Sequence, residues 1–275
     1  MLEALRGGLV LAAVGGSFGL TYRLGYINLA HGDLVVLGGL VVWASYEGLG
    51  GGLAAISPAV LLVGLLLAAA AAALTNALIH RVVLDPLLKR SLRMPQVLAG
   101  LGASLVVSAA SGLAFGVSER SLPIPQTLTS IGTSPLRVTD VLLLLGITGG
   151  LAIALRGPAR LRYRAAADNR ALAGLWGVEL GRLTLGTAAL SGALAGLIGG
   201  ILVLADGVQS GQSLQMLLLA FAGILLGQSR GALGMVVVPF LIGVVHYAFA
   251  LWIAPWVSTM AVMLVVAVGL IWKGR

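Results

Sequence analysis

The stretch PAVLLVGLLLAAAAAALTNALI, Pro58–Ile79, contains no charged side chain. About 20 apolar residues in an α-helix span the roughly 30 Å hydrocarbon core of a bilayer, so the stretch predicts a membrane-spanning helix. The rest of the 275-residue chain is similar, because 59% of its residues are hydrophobic, 9% are charged and its mean hydropathy is +1.06. This composition excludes a soluble globular protein and predicts an all-α polytopic membrane protein.

Further apolar stretches on both sides of this one bring the candidate spans to nine. Two of them, 34–46 and 214–227, are too short to cross alone, so they either recruit neighbouring polar residues or are broken or re-entrant. The sequence predicts one transmembrane domain over residues 1–275, a bundle of about 8–10 helices. The candidate spans are residues 5–22, 34–46, 58–79, 95–115, 139–155, 183–204, 214–227, 232–253 and 258–272.

The basic residues predict which side of the membrane each loop occupies. Twelve of the 17 lysines and arginines fall in three segments, and basic loops stay on the cytoplasmic side. Nine crossings put all three segments on that side, with the amino terminus outside and the carboxyl terminus in the cytoplasm. The segments hold Arg81, Lys89, Arg90 and Arg93; Arg156, Arg160, Arg162, Arg164, Arg170 and Arg182; and Lys273 and Arg275.

A polar cluster bounded by glycines, GYINLAHGD at residues 25–33, interrupts the apolar pattern. Burying Asn28, His31 and Asp33 at membrane depth is costly, so such residues usually face a bundle interior or a cavity. One interpretation is a broken helix that lines a substrate path. The other is a short cytoplasmic turn with Asp33 in solvent. His31 and Asp33 have no third ligand nearby in sequence, so no metal site is predicted.

A second polar region, residues 160–178, reads as a short cytoplasmic helix from 165 to 175 that ends at glycines. Its residues Leu172, Leu175 and Trp176 are too apolar for a solvated loop. They fold back on the bundle, or a cytoplasmic partner covers them, or the helix lies on the lipid surface with its arginines on head groups. The basic loop at 80–93 is predicted to set topology only.

Several features that the sequence lacks narrow the functions expected of this chain. The charges are too few to track a nucleic-acid backbone, so no nucleic-acid partner is expected. Neither Lys89 nor Lys273 follows a glycine, which rules out a phosphate-binding loop ending in Gly-Lys. Carboxylates are scarce within the spans, which disfavours a proton- or sodium-coupled mechanism. Three histidines and scattered serines place no nucleophile beside a base, so the chain is not expected to be an enzyme.

Three motifs resemble the permease subunits of branched-chain amino acid ABC transporters, a family that includes urea and amide permeases. Residues 19–33 are similar to the amino-terminal motif of the family, with Ile27-Asn28 followed by Ala30-His31-Gly32 and an acid. The cytoplasmic loop matches at Arg164-Ala165, Asp168, Ala171, Leu175, Gly177-Val178 and Arg182. Residues 193–200, 220–221 and 231–232 resemble the late helices.

The resemblance implies a transport subunit of an ABC importer for branched-chain amino acids or a related small polar solute, in the inner membrane of a prokaryote. It implies an identical or homologous second permease, two ATPase subunits and a periplasmic or extracellular solute-binding protein. ATP would bind the ATPases, and this chain would hold no cofactor. The loop at about 156–182 would couple to an ATPase through Arg164, Ala165, Asp168, Ala171, Leu172, Leu175 and Gly177.

The chain departs from the family pattern at three places. It has Leu217-Leu218-Leu219 where the family has Gly-Leu-Lys, and Leu29 where an aromatic residue is common. The glycine-rich turn of the family is shortened to Gly227-Gln228-Ser229-Arg230. The resemblance therefore does not identify the solute. A stand-alone channel for a small neutral solute such as urea or an amide stays the alternative function, because it needs no carboxylate at membrane depth.

Overall fold

The computed structural model describes residues 2–50, 58–90, 92–122, 146, 158–205, 207–228, 231–250, 252–253 and 255–273. These ranges form an all-α bundle, as the composition predicts. A π-helical turn forms at His80–Leu84, and a 3₁₀ turn forms at Ser210–Gln212. The helices are α1 Leu2–Arg23, α2 His31–Gly50, α3 Pro58–Ile79, α4 Asp85–Lys89, α5 Arg93–Phe115, α6 Pro158–Asp168, α7 Arg170–Leu175, α8 Leu180–Ala205, α9 Ser213–Gly227, α10 Gly231–Ala250 and α11 Pro255–Lys273.

Five of the described helical segments are long and apolar enough to cross a membrane: Ala4–Arg23, Ala59–Lys89, Met94–Phe115, Leu180–Leu204 and Leu233–Ala250. The two short candidate spans differ in the length of the helix that each forms. The first lengthens to the 20 residues of α2, whereas α9 keeps 15 residues, about 22 Å of helix. Of the candidate span at 139–155, the structure describes residue 146 alone.

The core of the bundle is formed by α1, α2 and α8. Helix α1 packs against α8, α9 and α10, and α8 packs against both α2 and α3. Most of α1 and α8 is buried, whereas α3 and α5 expose broad apolar faces. Exposed apolar faces are what helices next to lipid require, since hydrocarbon tails are as apolar as leucine.

Glycines bring α2 and α8 into backbone contact. A Cβ atom on Gly38 would overlap the backbone of Gly196, and one on Gly199 would overlap the carbonyl oxygen of Val35. Small residues of this kind let transmembrane helices approach closely, where van der Waals packing stabilises them. The close α2–α8 pair fixes the place where α2 begins.

The cytoplasmic region differs from the single helix predicted over residues 165–175. That prediction is wrong, because the chain breaks at Asn169, which has a φ of −151°. The Asn169 side-chain oxygen accepts a hydrogen bond of 3.0 Å from the Leu172 N–H and caps α7. Asparagine favours this capping position over a helix interior, so the region forms two helices, α6 and α7.

Candidate functional site

The start of α2 lies inside the bundle rather than at its end. His31 contacts Ser17 of α1, which is six residues before α1 ends at Arg23, or about 9 Å along the axis. Residues 24–30 therefore turn back from the end of α1 into the interior. The three candidate residues of this region are all buried: Asn28 is 1%, His31 0% and Asp33 3% exposed.

Asn28 ties this segment to two other helices. Its Nδ2 donates to Oδ1 of Asn76 in α3 at 2.6 Å, and Asn76 Nδ2 donates to the carbonyl oxygen of Ala188 in α8 at 2.7 Å. The Asn28 Oδ1 accepts from the N–H of Ala30 at 3.0 Å. Two buried amides thus satisfy one another and hold the chain just before α2.

The hydrogen bond with Ser17 determines which ring nitrogen of His31 carries the proton. Ser17 donates its hydroxyl proton to the Val14 carbonyl oxygen at 3.0 Å, so its oxygen accepts from His31 Nε2–H at 2.9 Å. In a neutral ring the proton then sits on Nε2, and Nδ1 is an acceptor. No hydrogen-bond partner for Nδ1 lies within the described residues. His31 is therefore held by α1 with one acceptor unused.

Asp33 joins three helices through its carboxylate. It accepts hydrogen bonds from Ser104 of α5 and Ser213 of α9. It also lies in the first turn of α2, where the helix dipole stabilises negative charge. The interpretation that left Asp33 in solvent is wrong. Contact of Asn28, His31 or Asp33 with a solute stays a prediction.

Two helices begin side by side at this point. A Cβ atom on Gly32 would overlap the carbonyl oxygen of Ser213, the first residue of α9. The peptide N–H groups in the first turn of a helix have no intrahelical partner and can bind polar or anionic groups. The N–H groups of His31 and Leu34 are already bonded, to the carbonyl oxygens of Asn28 and Ala30. The two helix starts still place their positive dipole ends beside the Asp33 carboxylate.

The end of α1 and the start of the segment 24–30 are bonded to α6 and α7. Tyr163 Oη donates to the Leu20 carbonyl oxygen at 2.8 Å, and Arg170 Nη1 donates to the Leu24 carbonyl oxygen at 3.4 Å. Burial raises the pKa of Tyr163 to about 12. The phenol therefore stays protonated, and a hydrogen-bond donor, throughout the physiological pH range.

The side of α6 and α7 that faces away from the bundle exposes both charged and apolar residues. Tyr163, Ala166 and Ala173 are buried against the bundle, while Leu175 is 84% and Trp176 80% exposed. The seven residues predicted to couple to an ATPase are all exposed: Arg164, Ala165, Asp168, Ala171, Leu172, Leu175 and Gly177. Their contact with a partner stays a prediction.

Four residues of the site were not predicted from the sequence: Ser17, Asn76, Ser104 and Ser213. Asn76 could have been found, because it is an amide near the end of a long apolar stretch, and polar residues at membrane depth usually face the bundle interior. The serines gave no such signal, since serine is common in transmembrane helices and its partners are distant in sequence. Only the packing of α1, α5 and α9 around α2 brings them together.

Replacing Asn76 with alanine is expected to destabilise the bundle. The Asn28 Nδ2 donor would lose its partner, and an unsatisfied buried donor costs about 1–3 kcal/mol. We expect the thermal midpoint of the detergent-solubilised protein to fall by about 5 °C. Leu74→Ala is the matched control, since Leu74 lies on the same helix and is 72% exposed. Equal midpoints for the two variants would show that the amide pair is not structural.

A bundle of membrane-crossing helices that encloses buried polar groups, with one helix starting inside it, is an architecture of membrane transport proteins. The family model described as branched-chain amino acid transport system, permease component, matches residues 4–270. The chain belongs to this family and is a transport subunit. No curated protein and no solved structure matches the chain.

Proposed function

We propose that this chain is the membrane permease of an ABC importer for branched-chain amino acids or a related small polar solute. Its partners are a second permease, identical or homologous, two ATPase subunits and a solute-binding protein on the outer side. ATP binds the ATPases only. The membrane is the inner membrane of a prokaryote, with the amino terminus outside and the carboxyl terminus in the cytoplasm, since the basic segments stay inside.

One observation carries the proposal: α6 and α7 have one face bonded to the bundle and another open to a partner. The inner face holds the backbone of Leu20 and Leu24 through Tyr163 and Arg170. The outer face exposes Leu175 and Trp176 beside charged residues. An ATPase docked on the outer face would move α6 and α7 as its nucleotide state changes.

That movement would reach the start of α2 through residues 24–30. Leu24 is four residues before Asn28, whose bond to Asn76 anchors the chain ahead of His31 and Asp33. We propose that these three residues line the substrate path. A nucleotide-dependent shift in this segment would favour inward-open or outward-open populations, because ATP-bound and ATP-free ATPases contact α6 and α7 differently.

Flux measurements in liposomes test the proposal. The complex purified on a tagged copy of this chain is reconstituted with its binding protein, and radiolabelled leucine uptake is measured with and without ATP on the ATPase side. We expect accumulation above the external concentration only with ATP. Equilibration of leucine or urea through the chain alone, without ATP, would instead support the channel alternative.

Tyr163→Phe is expected to weaken the coupling of α6 to the bundle without affecting the docking of the ATPases. The substitution keeps the buried ring but removes the donor to the Leu20 carbonyl oxygen, a bond of about 1 kcal/mol. We expect the ATPases to stay bound and ATP-driven uptake to fall about fivefold. Uptake equal to that of the unchanged protein would show that this bond carries no coupling.

A further inference from the structure

A cavity of about 280 Å³ lies at the opposite end of α1 from the α6–α7 contacts. It is enclosed by the first turns of α1, the end of α8, the first turn of α9 and the end of α10. Gln215 lines it and lies two residues after Ser213, which bonds Asp33. The cavity therefore adjoins the buried cluster at the start of α2, on the side that the predicted topology places outside.

A buried cation forms one part of the wall. Arg6 lines the cavity and is only 6% exposed. Its guanidinium has five N–H donors in a planar fork, so it can serve a protein group and a ligand oxygen together. This fork matches the two oxygens of a carboxylate, which is the group that arginine recognises best. Arg6 also has a contact within the protein, which holds the guanidinium in place.

Hydrogen-bond acceptors form another part of the wall. Ser258 Oγ donates to the His246 carbonyl oxygen at 2.6 Å, so the same oxygen accepts from His246 Nδ1–H at 3.0 Å. The neutral ring therefore has an unprotonated Nε2, for which no hydrogen bond is found among the described residues. His246 is 5% exposed and lines the cavity, so its Nε2 can serve as an acceptor for a ligand there.

Gln215 adds a second acceptor by the same reasoning. Its Nε2 donates to Thr259 Oγ1 at 2.7 Å, which orients the amide and leaves the carbonyl Oε1 as an acceptor. An ammonium group has three donors and no acceptor, so it needs neighbours of this kind.

The remainder of the wall is aliphatic. It includes Val10 and Leu11 of α1, Leu202 of α8, and Met216 and Leu219 of α9. A surface of branched side chains and methionine suits a branched apolar group, and burial of that group is favourable by about 25 cal/mol per Å². The volume lies near the lower end of the roughly 300–1,000 Å³ usual for small-molecule sites, which suits one amino acid rather than a peptide.

We propose that this cavity binds a zwitterionic α-amino acid with an aliphatic side chain. Arg6 holds the carboxylate, His246 and Gln215 accept from the ammonium, and the aliphatic wall holds the side chain. The inference rests on the proposed function and assigns it a binding site. The solute enters here from the binding protein before it passes the start of α2. Urea and simple amides lack both charges and are excluded as preferred solutes.

Photolabelling in native membranes tests the site on the unchanged protein. A diazirine analogue of leucine is added to vesicles that hold the full complex, and after irradiation the adducts are mapped by mass spectrometry. We expect adducts at Val10, Leu11 or Met216. Excess leucine should remove them, whereas leucinamide, which lacks the carboxylate, and 4-methylpentanoate, which lacks the ammonium, should not. Adducts elsewhere only, or equal competition by all three compounds, would overturn the proposal.

Variants add a second measurement. Arg6→Met and His246→Phe should each lower labelling in the cavity at least about tenfold, the effect of losing one charge-assisted hydrogen bond. Arg81→Met is the matched control, because Arg81 is exposed and lies outside the cavity. Both cavity variants are first checked by gel filtration. Folded variants that label normally would contradict the assignment.

Different results would contradict the importer assignment and the amino-acid site. ATP-driven leucine uptake without labelling of the cavity would remove the inference and keep the importer. Specific labelling of the cavity in a chain that co-purifies with no ATPase would remove the importer and keep an amino-acid site.

Discussion

Gly199→Ala is expected to prevent normal assembly of the bundle. The added Cβ would overlap the Val35 carbonyl oxygen and lie 2.8 Å from the Gly39 nitrogen. Both neighbours are backbone atoms, so no change of rotamer relieves the clash. Overpacking usually costs about 1–3 kcal/mol, and here we expect a cost of about 3 kcal/mol or more, because α2 has to move away from α8. Displacing α2 would also disturb the bonds of His31 and Asp33.

The measurement is gel filtration of a fluorescent fusion in mild detergent, with its thermal midpoint. Gly186→Ala is the matched control, since Gly186 lies on the same helix and a Cβ there would meet nothing within 4 Å. Alanine also favours helix by up to about 1 kcal/mol over glycine, so the control should be neutral or slightly stabilised. If both variants elute and melt like the unchanged protein, the close α2–α8 contact is wrong.

Charge reversal in α6 is expected to abolish coupled transport without loss of the folded chain. Arg164 and Asp168 are exposed, so we expect the bundle to fold without them. Leaving a partner charge unpaired in an interface costs about 2–5 kcal/mol. We therefore expect Arg164→Glu and Asp168→Lys each to lower ATP-driven uptake at least about tenfold, while ATP hydrolysis by the ATPases no longer drives transport.

Membrane insertion and uptake are measured together in this experiment, by immunoblotting of the vesicles and by radiolabelled solute. Arg90→Ala is the control, because Arg90 is exposed in the other basic loop, where Arg81, Lys89 and Arg93 remain to set topology. All three variants should insert normally. Full transport by Arg164→Glu and Asp168→Lys would contradict a docking role for α6.

Much of the fold follows from hydrophobic patterning alone. Long apolar stretches such as Pro58–Ile79 predict helices because a helix pairs its backbone groups within one continuous segment, as a bilayer requires. The helix break at Asn169 was not predicted, since helix-forming alanines on both sides outweighed one capping residue. The preference of asparagine for the capping position decides where the helix breaks. That preference takes effect only when the side chain accepts a hydrogen bond from the N–H three residues later.

The site was predictable in part. The polar residues 28, 31 and 33 stood out against apolar sequence, but their partners come from α1, α3, α5 and α9. Contacts such as Ser104 with Asp33 join residues far apart in the chain, and local pattern has no information about them. The cavity beside Arg6 was missed for the same reason. Arg6 and His246 lie near opposite ends of the chain, and only the packing of α1 against α10 places them together.

The most direct test of the importer assignment is purification of the tagged chain from native membranes in mild detergent, with mass spectrometry of the proteins that accompany it. The proposed function predicts an ATPase pair and a second permease in stable proportion, and Leu175→Glu on the exposed face of α7 should release the ATPases. Recovery of the folded, oligomeric chain with no ATPase would contradict the assignment. In that case α6 and α7 would lie on the membrane surface, and the chain would act as a channel.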